Sequence, residues 1–332
     1  MTDVLHERWG LPDLQHKLQR VEPGLTLEVV ESIGSTNTAL LERAAAARAA
    51  ATALARAGGG GPDTWTSCLL VAQAQTQGRG RQGRTWHAQP GVSLTFSLGL
   101  SLAPQDWSGL SLAVGVALAD ALDPACDRAS GAETDAPRIL LKWPNDLWLR
   151  DAQAAGGGRK LGGVLIETAA GWADARHTAE AGTPPASGAA AGPRFSQGSR
   201  QAARICVIGV GLNIGPPSAE AVAQASSGVA WLQEVEPQAT AQQVLARVAL
   251  PLIRAVRRFE HSGFAEVTGA FARRDLLRSQ PITTTLPDLP VGTAQGVDDT
   301  GALRVRAPDG TVRSVVGGEV SIRVRQGDTA CA

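Results

Sequence analysis

The chain has no tyrosine, one methionine and, among 31 basic residues, only three lysines (Lys17, Lys142 and Lys160). Acidic residues also number 31, so the formal net charge is zero. This balance argues against a protein whose main task is to hold nucleic acid or an anionic membrane. No apolar run reaches the roughly 18 residues that span a bilayer, and the N-terminal segment lacks the apolar stretch of a secretory signal. We therefore expect a cytoplasmic protein that binds neither DNA nor membrane.

Metal-binding and disulfide patterns are absent too. The four cysteines (Cys68, Cys126, Cys206 and Cys331) form no CxxC pair, and the five histidines lie at no metal-ligand spacing. We expect reduced thiols and no zinc site.

The length and the change of pattern along the chain predict two domains. Residues 1–26 are a short lead-in. Residues 27–280 alternate apolar strands with helices and contain a low-complexity insert at about 170–203. Residues 281–326 consist of short β runs separated by DDTG, PDG and GG turns, a pattern typical of a small β barrel.

The segment GRGRQGRTW (78–86) is the most informative part of the sequence. Its glycines let the backbone approach a ligand closely, and its arginines suit phosphate or carboxylate. Because it lies between two strands, it could form a positively charged flap over a phosphate-containing ligand. An RG-rich tract that contacts RNA nonspecifically is an equally good interpretation of this segment alone.

A second motif, KWPND (142–146), places Lys142 at the end of an apolar strand, where an ammonium could offset charge on a reacting phosphate. Taken alone, the motif is better explained as a strand end with a solvated Lys142 followed by an Asn-Asp turn. Ser35-Thr36-Asn37 could be a helix N-cap, and the two glycines of GVGLNI (209–214) could mean tight packing. The chain's three asparagines (Asn37, Asn145 and Asn213) all lie in these motifs.

Taken in order, the motifs ESIGSTN, GRGRQGRTW, KWPND, KLGGVLIE, GVGLNIG and GGEVSIR resemble those of the biotin–protein ligases. The resemblance covers about residues 27–323, and GRGRxGRxW together with KWPND is its most specific part. It implies an α+β catalytic domain with a mixed sheet, similar to class II aminoacyl-tRNA synthetases, followed by an SH3-like β barrel. It also implies that biotin and Mg-ATP give biotinyl-5′-adenylate, from which biotin passes to a lysine of a carrier protein.

The resemblance assigns thirteen site residues. The catalytic set is Lys142, Arg79 and Arg81. The biotin-binding set is Ser35, Thr36, Asn37, Gln75, Arg79, Gly80, Arg81, Lys142 and Gly163. The ATP-binding set is Arg81, Arg84, Trp86, Lys142, Asn145 and Asn213, and no metal ligand is assigned because the phosphates mainly carry Mg²⁺. Lys160 matches a position near the nucleotide only loosely.

The implied partner is the biotin carboxyl carrier protein of acetyl-CoA carboxylase, together with other biotin carboxylases, and the ligase itself would be a monomer or a homodimer. Two alternatives within the fold are a biotin-responsive transcriptional repressor and a lipoate or octanoate protein ligase. Only about 26 residues precede the first motif, which is too few for the winged-helix domain of the repressors. The lipoate and octanoate enzymes are not expected to combine GRGRxGR with KWPND.

Overall fold

A seven-stranded mixed sheet lies at the centre of the protein. The computed structural model describes residues 7, 9–56, 65–124, 136–154, 156–169, 203–224, 228–317 and 322–324. The predicted insert at 170–203 lies outside the described residues apart from its last position, as do Cys126 and Cys331. No described helix is both long and apolar enough to cross a membrane.

The strands of the central sheet follow the order β1-β2-β3-β7-β6-β5-β4. Only β1 and β2 pair in parallel, and every other neighbouring pair is antiparallel. The strands are β1 Thr26–Ile33, β2 Cys68–Gln75, β3 Ser93–Leu102, β4 Ile139–Lys142, β5 Asp146–Arg150, β6 Gly158–Ala169 and β7 Arg204–Asn213.

Six described α-helices accompany the sheet. They are α1 Leu11–Gln19, α2 Thr36–Arg56, α3 Leu110–Leu122, α4 Ala219–Gln224, α5 Ala241–Ser262 and α6 Thr268–Arg274. Helix α5 contains Pro251 and buries a stripe that includes Val244, Val248 and Leu252. This i, i+4, i+8 spacing places the three side chains on one helical face.

Both faces of the sheet are covered, because successive residues of a strand point to opposite sides. On β7, Val207 packs towards α2, together with Leu40 of that helix and Leu70 of β2. The neighbouring Cys206 and Ile208 belong to the large cluster on the other face, which α1, α3 and α5 cover. The two described cysteines, Cys68 and Cys206, are buried free thiols.

The C-terminal strands form a separate antiparallel sheet in the order β11-β10-β9-β8-β12. They are β8 Pro281–Thr284, β9 Val291–Val297, β10 Leu303–Arg306, β11 Val312–Val315 and β12 Ile322–Val324. The indole Nε1 of Trp143, in the turn after β4, donates to Gly301 O at 3.0 Å and so ties this sheet to the first domain.

The predicted α+β architecture is confirmed: a mixed sheet with helices precedes a small β domain. The sheet of the second domain begins at Pro281. The predicted limits 27–280 and 281–326 remain predictions, since residues 318–321 and 325–332 lie outside the described part of the chain.

Candidate functional site

One cavity of about 900 Å³ opens on the α2 side of the sheet. It lies where α2 begins, beside the C-terminal ends of β2, β4 and β7 and the N-terminal half of β6. All thirteen residues that the sequence assigned line it: Ser35, Thr36, Asn37, Gln75, Arg79, Gly80, Arg81, Arg84, Trp86, Lys142, Asn145, Gly163 and Asn213. The structure therefore brings the complete set together, and the individual roles remain predictions.

One end of the cavity is polar and uncharged. Ser35 caps α2, because its Oγ accepts from Thr38 N at 3.4 Å, so the helix-cap interpretation is correct. Gln75, the last residue of β2, accepts from Thr36 N at 2.7 Å and from Thr36 Oγ1 at 3.1 Å through its Oε1. These contacts orient the Gln75 amide, and Ser35 and Thr36 are nevertheless part of the cavity wall.

Asn37 is held by three neighbours. Its Nδ2 donates to Glu167 Oε2 at 3.0 Å and to Leu165 O at 3.3 Å. Its Oδ1 lies 2.6 Å from Ser97 Oγ, which also lies 2.6 Å from Thr36 Oγ1. Because Asn37 is only 3% exposed and both its amide hydrogens are used, its orientation is fixed before any ligand binds.

Two glycines of β7 make room for this wall. A Cβ at Gly209 would lie 2.3 Å from Asn37 Oδ1, and one at Gly211 would lie 2.4 Å from Cε2 of the Trp86 ring. Both glycines face α2, since they are two residues apart on one strand. The tight packing that the sequence suggested for these glycines is therefore present. The groups that pack against them belong to two predicted site residues, Asn37 and Trp86.

The glycine-rich loop folds back on itself as a small hairpin. Trp86 N donates to Gly78 O at 2.9 Å, and Gly80 N donates to Arg84 O at 2.7 Å. A Cβ at Gly78 would lie 2.2 Å from Trp86 O, so a side chain is excluded there. At the tip, Gln82 has φ of 56° and Gly83 has φ of 70°. The hairpin directs its arginines along the cavity.

The other end of the cavity is cationic. Lys142 Nζ lies 4.5 Å from the centroid of the Trp148 ring. Burial lowers the pKa of Lys142 below the ordinary value of lysine; nearby Asp146 opposes this shift, while Lys160, Arg323 and Arg84 add to it. A partly dehydrated ammonium of this kind gains most from an anionic ligand, because burial weakens screening by water.

Two polar pairs organise the rest of this end. Arg81 Nη1 donates to Asn145 Oδ1 at 3.0 Å, and Asn145 Nδ2 donates to Val164 O at 2.8 Å. Burial lowers the pKa of Arg81 as well. Lys160 pairs with Asp146 at 2.8 Å, so Lys160, only loosely matched in the sequence, lies within the site.

The last two predicted site residues, Gly163 on β6 and Asn213 on β7, contact neighbouring segments of the site. A Cβ at Gly163 would lie 3.2 Å from Asp146 Oδ1, so this glycine leaves space for the Asp146–Lys160 pair. Asn213 Nδ2 donates to Ala230 O at 3.0 Å and holds the 228–230 segment against the cavity.

The sequence did not single out Ser97, Glu167 or Trp148. Ser97 could have been found from the alternation in SLTFS (93–97), where polar residues occupy one face of a buried strand. Trp148 is 5% exposed and its Nε1 has no hydrogen-bond partner among the described residues. Glu167 carries no local sequence signal, because its partner Asn37 is 130 residues away.

No group of three or more histidine, cysteine, aspartate or glutamate side chains in the described part of the chain could hold a metal ion. Among the described residues that line the cavity, Asp146 is the only acidic one. One carboxylate together with phosphate oxygens is a usual environment for Mg²⁺, so the site fits a magnesium ion that arrives with a nucleotide.

Comparison with known proteins agrees with this geometry. Residues 62–178 match the biotin/lipoate A/B protein ligase family, and residues 280–323 match the biotin protein ligase C terminal domain. The second match is to a domain named for the biotin protein ligases. This chain belongs to the biotin protein ligase family.

Two relatives and one solved structure illustrate the similarity. The bifunctional ligase/repressor BirA of Escherichia coli (strain K12) is 28% identical over 303 residues, which are 90% of this chain and 75% of that protein. The biotin–[acetyl-CoA-carboxylase] ligase of Paracoccus denitrificans is 28% identical over 256 residues, which are 74% of this chain and 86% of that protein. A biotin protein ligase from Aquifex aeolicus, solved in complex with biotin and ATP, has the same fold, with a TM-score of 0.59 at 20% identity over 90% of this chain and 99% of that chain.

Proposed function

We propose that this protein joins biotin to ATP as biotinyl-5′-adenylate and then transfers biotin to a lysine of a carboxylase's biotin carboxyl carrier protein. The observation that carries the proposal is the arrangement of the cavity. It has an uncharged polar end at Ser35, Thr36 and Gln75 and a cationic end at Lys142, Lys160 and Arg81. Biotin has a matching form, with a neutral ureido ring at one end and a carboxylate at the other.

The uncharged end suits the ureido ring. Its carbonyl and two N–H groups lose water on burial and need hydrogen-bond partners. The hydroxyls of Ser35 and Thr36 and the amide of Gln75 supply donors and acceptors without charge. Apolar side chains such as Val164 and Val210, which also line the cavity, suit the valeryl chain.

The cationic end suits the first chemical step. A biotin carboxylate oxygen attacks the α-phosphorus of ATP, the new C–O–P link forms, and the bond to the β-phosphate oxygen breaks to release pyrophosphate. The reacting groups are both negatively charged. Lys142 and Arg81 offset their repulsion as charge increases in the transition state, and the cavity walls hold the two groups in line.

Magnesium would supply further positive charge on the phosphates, with Asp146 as its protein oxygen ligand. In the second step the unprotonated ε-amine of the carrier lysine attacks the acyl carbon and forms the amide C–N bond, the acyl–phosphate oxygen bond breaks, AMP leaves, and the amine's extra proton passes to solvent. No side chain of this protein is required as a covalent nucleophile. The hairpin of residues 78–86 covers the reactive anhydride and limits its contact with water.

We place this reaction in the cytoplasm, where ATP and unmodified carrier protein occur and where buried free thiols such as Cys68 and Cys206 stay reduced.

Pyrophosphate exchange tests the proposal directly. The purified protein with Mg²⁺, ATP and labelled pyrophosphate should exchange label into ATP when biotin is added and not when lipoate is added. Lys142→Ala should reduce exchange by about 100-fold or more, by comparison with the loss of one preorganised charge stabiliser. Lys17→Ala is the matched control, because Lys17 is an exposed residue of α1 outside the cavity.

Exchange that depends on lipoate instead of biotin would overturn the proposal. Transfer is tested separately, by adding a biotin carboxyl carrier domain and measuring AMP release and biotin on its lysine by mass spectrometry. A carrier domain with that lysine changed to arginine is the control for specificity.

A further inference from the structure

Glu167 connects Asn37 to the glycine-rich hairpin through its two carboxylate oxygens. Oε2 accepts from Asn37 Nδ2 at 3.0 Å, and Oε1 lies 3.1 Å from Arg79 Nη2. Asn37 belongs to the uncharged end, and Arg79 is the second residue of the glycine-rich hairpin. We propose that Glu167 is a positioning residue that fixes the orientation of Asn37 and at the same time holds the hairpin against α2. This inference rests on the proposed function.

The position of Glu167 supports both halves of this role. It lies on β6, opposite Val207 of β7, with its side chain 24% exposed. The Arg79 side chain is 49% exposed, so water partly screens the ion pair and its contribution to holding the hairpin is modest. Arg79 has a further contact on the same side, because its Nη1 donates to Thr38 Oγ1 of α2 at 3.4 Å.

Asn37 needs this contact because its space is tightly limited. Gly209 lies directly under its Oδ1, and Ser97 lies 2.6 Å from the same oxygen. With Oδ1 fixed in this way, Nδ2 points towards β6, where Glu167 Oε2 and Leu165 O are its acceptors. Loss of the carboxylate would leave one buried amide hydrogen unpaired and would allow the side chain to turn.

The two halves can be separated by two substitutions at one position. Glu167→Gln keeps an amide oxygen that can accept from Asn37, but it removes the negative charge that attracts Arg79. Glu167→Ala removes both. We expect Glu167→Ala to raise the KM for biotin about fivefold or more, and Glu167→Gln to restore it to within about twofold of the unchanged protein. A merely structural role for Glu167 would not produce this rescue.

The hairpin half is measured without relying on activity. In the ligand-free protein, we expect amide hydrogen exchange of residues 76–88 to become about two- to fivefold faster in both variants. Glu236→Gln is the matched control, since it breaks an Arg–Glu pair with Arg247 whose residues do not line the cavity. Arg79→Gln should give the same acceleration as Glu167→Gln, and the double variant should add little more.

Unchanged amide hydrogen exchange of the hairpin in Glu167→Gln, or additive effects in the double variant, would show that Glu167 does not hold the hairpin. Equal biotin KM values for Glu167→Gln and Glu167→Ala would overturn the Asn37 half. Failure of the proposed function is distinguishable from both, because it would appear as absent biotin-dependent pyrophosphate exchange in the unchanged protein.

Discussion

The ammonium of Lys142 lies over the indole ring of Trp148, with Nζ 4.5 Å from the ring centroid. The two residues are diagonal neighbours on adjacent strands, since Lys142 pairs with Asp146 and Trp148 pairs with Leu140. Trp148 also pairs with Lys160 on the other side. Trp148 therefore presents its ring face to Lys142, and it gives the Lys142 ammonium a partner that does not neutralise it.

Lys142→Arg should reduce adenylate formation at least about tenfold, although it keeps the charge. A planar guanidinium is larger than an ammonium and places its donors differently, so the reacting carboxylate and phosphate would be displaced. Pyrophosphate exchange measures the loss, and Lys17→Arg on the surface of α1 is the control. An Lys142→Arg enzyme with a normal rate would show that only charge matters at this position.

The pH dependence of the same step follows from the environment of Lys142. Because burial lowers the pKa of Lys142, the ammonium loses its proton at a lower pH than the ordinary lysine value of 10.5. The value of kcat/KM for adenylate formation should therefore fall on the alkaline side before pH 10.5. In Lys142→Arg this alkaline fall should disappear, because guanidinium stays protonated. An unchanged alkaline limb in that variant would assign the fall to another group.

Trp148→Leu should lower the rate of adenylate formation about two- to tenfold, the amount expected from loss of a partly buried cation–π contact. Trp148→Phe keeps an aromatic face and should stay within about twofold of the original rate. Because leucine also leaves a void beside Leu140 and Leu276, unfolding by urea must be measured in parallel. If Trp148→Leu and Trp148→Phe had equal rates at equal stability, the aromatic ring would not contribute to adenylate formation.

Alanine at the two β7 glycines should separate the two ends of the cavity. Gly209→Ala pushes on Asn37 and should raise the KM for biotin about tenfold, while Gly211→Ala pushes on Trp86 and should mainly raise the KM for ATP. Gly269→Ala in α6 is the control, because no atom lies within 4 Å of its added Cβ. The assignment of the two ends would be wrong if both variants affected the same substrate.

Asp275→Asn should stabilise the protein near neutral pH. Burial raises the pKa of Asp275 to about 6, its Oδ1 accepts from Leu277 N at 2.9 Å, and its Oδ2 has no partner among the described residues. A raised pKa means that the folded state binds the proton more tightly, so stability declines as the pH rises from about 4 to above 6. Asparagine carries no such charge. Urea midpoints should exceed those of the unchanged protein at pH 8, and the difference should shrink towards pH 4.

The sequence by itself determined the order and chemistry of the motifs. Through their resemblance to a known family, these motifs predicted the fold class and thirteen residues that line the cavity, but not Trp148, which also lines it. The strand, turn and strand of residues 139–150 follow from local pattern. The sequence explained Gly78 by approach to a ligand, and only the structure shows that Trp86 O excludes a side chain there. Local patterns carry this information because strand alternation, capping and turn formation involve residues a few positions apart.

Only the tertiary structure decided which motif contacts which and how strongly charges are felt. Asn37 and Glu167 are 130 residues apart, and Arg81 and Asn145 are 64 apart, so no periodicity links them. The lowered pKa of Lys142 and the packing of Gly209 against Asn37 depend on burial by several separate strands. Dehydration and close contact arise only when distant segments of the chain pack together, so they cannot be read from the linear sequence.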